Sequence, residues 1–310
     1  MLAILLATAQ YDLAPWIADV TTSTIRVYDA RDDKNAGLDS LKIVQLGPSD
    51  YLGIYHAMKG GAYGLHLARS SDLVLWTRVH TLDQHAHQGT LANAGKRWVL
   101  AWEKDGPKGN WIHIRTYNSL KDLLTGKEAR KKDLPRTLSK GAEGTPSIES
   151  VRNAEDWNNS VIELRFHYYR DLDVDRQARG TLSDFRGWVT EPNTADNSAL
   201  DNVIQGNLGD RDRFTIAGKT YDLLEGQLYK NDWSSWRILY CDRGQGAAFR
   251  ALPMKTDRGS TSFANPTATA ITLPDGKPGV VFTMFLPAQG NAPAEAGELI
   301  YAKPLPNELR

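Results

Sequence analysis

Five short stretches set a polar residue beside small ones at broadly even intervals: Asp39-Ser40-Leu41, Gln88-Gly89-Thr90, Glu143-Gly144-Thr145, Gly209-Asp210-Arg211 and Asn265-Pro266-Thr267. Counted from residues 39, 88, 143, 210 and 265, the separations are 49, 55, 67 and 55. Carboxyl groups from two such stretches, facing one another across a cavity, could work on a glycosidic acetal. One would protonate the leaving oxygen while the other activates water or attacks carbon. Asp39 and Glu143 are the favoured pair. A gap of about 6.5 to 9.5 Å between them would invert the anomeric centre, and one of about 5 to 5.5 Å would retain it.

Distant residues meet only if the chain repeats a structural unit. Helical periodicity is scarce, whereas short runs rich in Val, Ile, Tyr, Trp and Phe recur between Gly, Pro, Asn and Asp clusters, which signals strands. Each opening stretch runs into one strand, turns, and enters a second: Tyr51 to His56, Trp98 to Glu103, Val161 to Tyr168, Tyr221 to Gln227 and Val280 to Phe285. A repeat of this length with several strands per unit predicts an all-β chain folded as a five-bladed β-propeller of four-stranded antiparallel blades. The outer hairpins repeat as well, as Ala68 to Trp76, Asn118 to Leu123 and Gly180 to Trp188, with Trp76 and Trp188 placed to wedge between blades. The fourth unit is degenerate and the fifth lacks a strand. Thr24 to Tyr28 is predicted to pair beside Leu299 to Ala302 and close the ring, which leaves no open sheet edge.

In such a blade the innermost strand begins at the end of the axis where the antiparallel second strand finishes, so two sets of side chains converge on one pocket. Strand starts supply Asp39, Gln88, Glu143, Asp210 and Asn265; second-strand ends supply His56, Glu103, His167, Tyr168, Glu225 and Gln227. Glu103 and Glu225 are expected to touch substrate or to serve the scaffold, and His56 and His167 to bond sugar hydroxyls or to sit satisfied in the core. Arg211 either reaches a carboxylated or sulfated sugar through its guanidinium or closes an internal salt bridge. In Asp83-Gln84-His85-Ala86-His87 two imidazoles one residue apart share a strand face, but a polar loop is the expected reading and no metal site is assigned.

The stretch Ala142-Glu143-Gly144-Thr145-Pro146-Ser147-Ile148 is similar to the Glu-Gly-Pro segment of the arabinanase-, xylosidase- and fructosidase-like five-bladed glycosidases, and Ser71-Asp72-Leu73-Val74-Leu75-Trp76 resembles their outer hairpin. With the period, the resemblance spans roughly Leu38 to Pro304. It implies a glycoside hydrolase with Glu143 as general acid and Asp39 as general base or nucleophile. It also implies a further Asp opening the second blade, where this chain has Gln88 beside His87. An amide orients a neighbour but supplies no charge, so a propeller that binds glycan without cutting it is the alternative. The resemblance requires no cofactor; it leaves room for a calcium ion on the axis, although no ligand set in the sequence compels one.

Composition agrees with a globular chain that buries a core: 310 residues, 41% hydrophobic and 24% charged. Lys plus Arg equals Asp plus Glu at 37 each, so no basic field marks a nucleic-acid or membrane partner. The lone Cys241 forms no intrachain disulfide and reads as a small buried strand residue. No Pro-rich or Gly/Ser-rich stretch divides residues 10–310, and Asn193 to Gly206 is expected to be a long inter-blade loop. The apolar run Met1 to Ala9, ending in Ala7-Thr8-Ala9, resembles the tail of a secretory signal, which predicts a secreted or periplasmic protein. Carbohydrate is the expected partner, and the sequence leaves the oligomeric state open.

Overall fold

A computed structural model describes residues 12–309; the signal-like run Met1 to Ala9 lies outside them. After a short helix α1 (Leu13–Ala18) and strand β1 (Ile25–Val27), the chain builds four consecutive antiparallel sheets. The first holds β2 (Asp39–Gly47), β3 (Asp50–Lys59), β4 (Ala62–Ser70) and β5 (Thr77–Gln84). The second holds β6 (Ala86–Ala94), β7 (Arg97–Lys104), β8 (Trp111–Tyr117) and β9 (Arg130–Asp133). The third holds β10 (Glu143–Arg152), β11 (Val161–Arg170), β12 (Val174–Ser183) and β13 (Gly187–Pro192). The fourth holds β14 (Leu208–Ile216), β15 (Lys219–Gln227), β16 (Trp236–Asp242) and the two-residue β17 (Arg250–Ala251).

The fifth sheet is β18 (Ala264–Thr272), β19 (Pro278–Leu286) and β20 (Gly297–Pro304), completed by β1 from the other end of the chain. Ile25 pairs with Ala302, Arg26 with Tyr301 and Val27 with Ile300. The ring is therefore closed by strand pairing as the sequence predicts, and the degenerate fourth unit is the blade whose outer strand has shrunk to two residues.

Apolar side chains fill the seams between neighbouring sheets. Leu52, Ile54 and Leu65 of the first blade pack with Leu100 and Trp102 of the second, and Leu41 and Tyr55 pack with Val281 and Ile300 of the fifth. Trp102 is fully buried; burying a side chain of that size contributes about 2 to 3 kcal/mol. The two predicted tryptophan wedges need glycine beneath them. A Cβ at Gly53 would stand 3.0 Å from Trp76, and one at Gly180 only 2.2 Å from Trp188.

The seam between the third and fourth blades is instead joined by ions. Arg165 on β11 reaches Asp222 on β15 at 3.1 Å, and Arg213 on β14 reaches Glu149 on β10 at 2.8 Å. Two local expectations change. Asn118 to Leu123 lies in the link between the antiparallel outer strands β8 and β9, as predicted for an outer hairpin, but the link carries a helix, α2 (Leu120–Leu124), because Ser119 accepts the amide of Asp122 and caps it. The long segment from Asn193 likewise carries a helix, α3 (Thr194–Leu200), with Asn193 as its N-cap.

Candidate active site

Every inner strand opens with a register irregularity, between Asp39 and Lys42, His87 and Thr90, Gly144 and Ser147, Leu208 and Arg211, and Ala264 and Thr267. In four blades the bulge places a non-glycine residue in left-handed backbone: Ser40 at φ 56°, Gln88 at 51°, Thr145 at 48° and Asn265 at 48°. Such residues are uncommon, and a β-branched one such as Thr145 is a true outlier, so something must hold them.

What holds them is an acceptor from the preceding blade. His56 Nδ1 accepts the amide of Gln88 at 3.2 Å, Glu103 Oε2 that of Thr145 at 2.8 Å, Glu225 Oε2 that of Asn265 at 2.5 Å, and Glu298 Oε2 that of Ser40 at 3.0 Å. Each second- or third-strand acceptor thereby clasps the next blade at the pocket end of the axis. Glu225 Oε1 also receives the amide of Asp210 in its own blade at 2.8 Å.

The bulges fix which residues correspond between blades. Asp39 pairs with His56, His87 with Glu103, Gly144 with His167 and Ala264 with Phe285. The counterpart of Asp39 in the third blade is thus Gly144, and Glu143 lies one residue earlier, opposite Tyr168. One residue along a strand turns a side chain to the opposite face. The Glu143 carboxylate accordingly turns to the 137–139 segment, where Oε1 receives the amides of Thr137, Leu138 and Ser139 at 2.6, 2.5 and 2.9 Å. It borders neither hollow of the cleft.

The cleft is two adjoining hollows that share Gln88, Glu225, Trp233 and Trp236. One, of about 330 Å³, is bordered by Asp39, His56, Tyr63 and Asn265; the other, of about 440 Å³, by His87, Glu103, Asn110, His167 and Asp175. Of the side chains expected to meet here, Asp39, His56, Gln88, Glu103, His167, Glu225 and Asn265 do so. Asp210 and Arg211 do not: both are fully buried beneath the cleft. Lys42 Nζ lies 2.8 Å from Asp210 Oδ1, and Arg211 Nη1 donates to the Thr145 carbonyl at 2.6 Å. Gln88 links the first and fifth blades, its Oε1 accepting from Ser40 Oγ at 2.7 Å and its Nε2 donating to Asn265 Oδ1 at 3.2 Å. The axis thus carries its own cation. The ammonium of Lys42 on Asp210 and the amide dipoles around it are a poor donor set for calcium, which takes six to eight oxygens.

Protonation differs around the cleft. Asp39 makes no hydrogen bond to another described side chain, and burial pushes its carboxyl up to about 6. Burial, then the charge of Asp210, pushes Glu225 up to about 7. Glu103 goes the other way despite its burial: His87, His167, the Asn110 amide and the Thr145 N–H favour its charged form and hold it below the usual range. His56 is driven down to about 3 by burial and stays neutral.

Tyr63, Asp175 and Trp233 escape a search confined to strand starts and second-strand ends. All three follow the second strand of a blade, on or just past the turn into the third, and that turn lies at the pocket end of the axis. Trp233 stands on the link between β15 and β16, largely exposed, with its ring 6.3 Å from that of Trp236.

No family model matches the sequence, and no curated protein matches it in sequence. Solved structures match in fold. A chain described as a glycoside hydrolase superposes with a TM-score of 0.61 at 9% identity, covering 92% of each chain. A thermostable family-43 glycoside hydrolase gives 0.57 at 10% identity, over 90% of this chain and 93% of that one. The endo-arabinase of Bacteroides thetaiotaomicron gives 0.57 at 12% identity, over 90% of this chain and 98% of that one. The five-bladed architecture is therefore one that glycoside hydrolases use.

Proposed function

We propose that this chain hydrolyses glycosidic bonds of a poly- or oligosaccharide bound in the axial cleft, with Asp39 and Glu225 as its two carboxyls. The observation that carries this reading is the state of Asp39: a carboxyl on the wall of the cleft, free of hydrogen bonds to other described side chains and raised to about 6 by burial. Such a group exchanges protons near neutral pH, as acid–base catalysis requires. Glu225 borders the same hollow and titrates higher, at about 7. The higher pKa suits it to protonate the leaving oxygen, while Asp39 activates water or attacks carbon. Trp233 and Trp236 offer flat apolar faces against which a sugar ring can lie.

Glu143 has no part in this pair, because its carboxylate is spent on three backbone amides. A second reading, binding without cleavage, is favoured by one observation: both oxygens of Glu225 already accept backbone N–H groups. Incubation with a panel of polysaccharides, followed by assay of new reducing ends beside calorimetry, separates the two. Hydrolysis is expected for the wild-type chain, and Asp39→Asn and Glu225→Gln should lose it while retaining binding. Saturable binding without new reducing ends would favour the second reading, and undiminished hydrolysis by Asp39→Asn would refute the assignment.

A further inference from the structure

Beside the larger hollow, which His87 and Glu103 border, these two side chains converge with that of Asp105 just past the end of β7, and the proposed hydrolysis uses none of the three. His87 Nε2 lies 2.8 Å from Asp105 Oδ1 and 3.9 Å from Glu103 Oε1, and one ligand atom from each of the three lies within 4.8 Å of the others. One of the three is pre-positioned. Glu103 Oε2 is tied to the amide of Thr145, and Asn110 Nδ2 donates to Oε1 at 2.6 Å, so the carboxylate is fixed with Oε1 toward the imidazole.

A second, independent feature borders the same hollow. His167 is 8% exposed, its Nδ1 is buried with no hydrogen-bond partner, and its Nε2 stands 3.8 Å from Asp175, too far for a hydrogen bond.

We propose that His87, Glu103 and Asp105 bind a divalent transition-metal cation, zinc or manganese, at the edge of the axial cleft. One imidazole and two carboxylates are the donors such ions take at about 2.0 to 2.2 Å, and ligand atoms at that radius stand roughly 3 to 3.5 Å apart, between the two separations seen at His87. Calcium is disfavoured by the nitrogen donor. Asn110 and Thr145 supply the outer hydrogen bonds that orient a metal-binding carboxylate. Three protein ligands leave a coordination position open, where an oxygen of a bound carbohydrate can reach the ion. The site does not depend on whether the cleft cuts or only holds its ligand.

The test uses the full chain, stripped with EDTA, dialysed, and titrated separately with zinc chloride and manganese chloride by calorimetry near pH 7.5. One saturable site per chain is expected. His87→Ala and Asp105→Asn should each weaken it by about tenfold or more, whereas His85→Ala, an exposed imidazole two residues away, should leave it unchanged. Cobalt loading should give visible absorption that His87→Ala removes, and circular dichroism checks that each variant is folded; Asp105, half-exposed, provides a variant away from the core. Absence of saturable heat with both cations, or an isotherm that neither His87→Ala nor Asp105→Asn alters, would overturn the proposal.

Discussion

Glu298, on the third strand of the last blade, receives the amide of Ser40 on the first blade at 3.0 Å and that of Leu41 at 3.2 Å. It joins the two ends of the circle at the axis as β1 joins them at the rim. The side chain is fully buried, and burial followed by the nearby charge of Asp39 raises its pKa far above the ordinary carboxyl range. Glu298→Ala leaves two buried amides without acceptors, at about 1 to 3 kcal/mol each. Urea unfolding should show a loss of about 2 to 6 kcal/mol. A midpoint unchanged from wild type would mean that the ring closes without this clasp.

Glu143 should behave as scaffold. Its carboxylate gathers three consecutive amides, so Glu143→Ala is expected to lower the melting temperature by several degrees, at a cost of about 2 to 4 kcal/mol. Hydrolysis by the folded fraction, measured well below that temperature, should change little. A variant that melts like wild type but has lost all turnover would return Glu143 to the chemistry.

Asp39 makes a prediction about stability as well as turnover. Its folded pKa of about 6 lies above the ordinary aspartate value of 3.8, so the native state binds more protons than the unfolded chain between those values. The favourable contribution is fully present below about pH 4 and is lost as pH rises through about 6. Asp39→Asn has no such proton to lose. Thermal unfolding at about pH 8 should therefore find the variant more stable than wild type, with the difference shrinking toward pH 4. An equal difference at both pH values would mean that Asp39 is not raised by burial.

The architecture was legible because strand runs and polar openings recur, and because the chain needed a strand from its beginning to complete the last sheet. The pocket was half legible for a related reason. His56, Glu103, His167 and Glu225 follow from where second strands end, which depends only on antiparallel pairing. Glu143 was misplaced by a single residue, since the bulge at each opening is invisible in residue types and a one-residue shift reverses the face. Asp210 and Arg211 come from the blade whose opening departs most from the others. There no residue adopts the left-handed bulge, and the inner strand turns its charges into the axis. Trp233 sits in a link, and Tyr63 just past a turn, where the sequence carries no periodic signal.

That buried axis supports the last prediction. Lys42 and Asp210 form an ion pair with almost no solvent access, and Asp210 Oδ1 also accepts the Arg211 amide at 2.7 Å. Desolvating two charges consumes most of their attraction, so the pair as a whole adds little net stability, but removing one partner strands the other. Lys42→Met should therefore cost about 3 to 5 kcal/mol in urea unfolding. Adding Asp210→Asn to it should recover much of that loss, because an amide can still accept the Arg211 N–H without carrying a charge. If the double variant were no more stable than Lys42→Met alone, the penalty would come from packing around the Lys42 stem rather than from an uncompensated carboxylate at the centre of the ring.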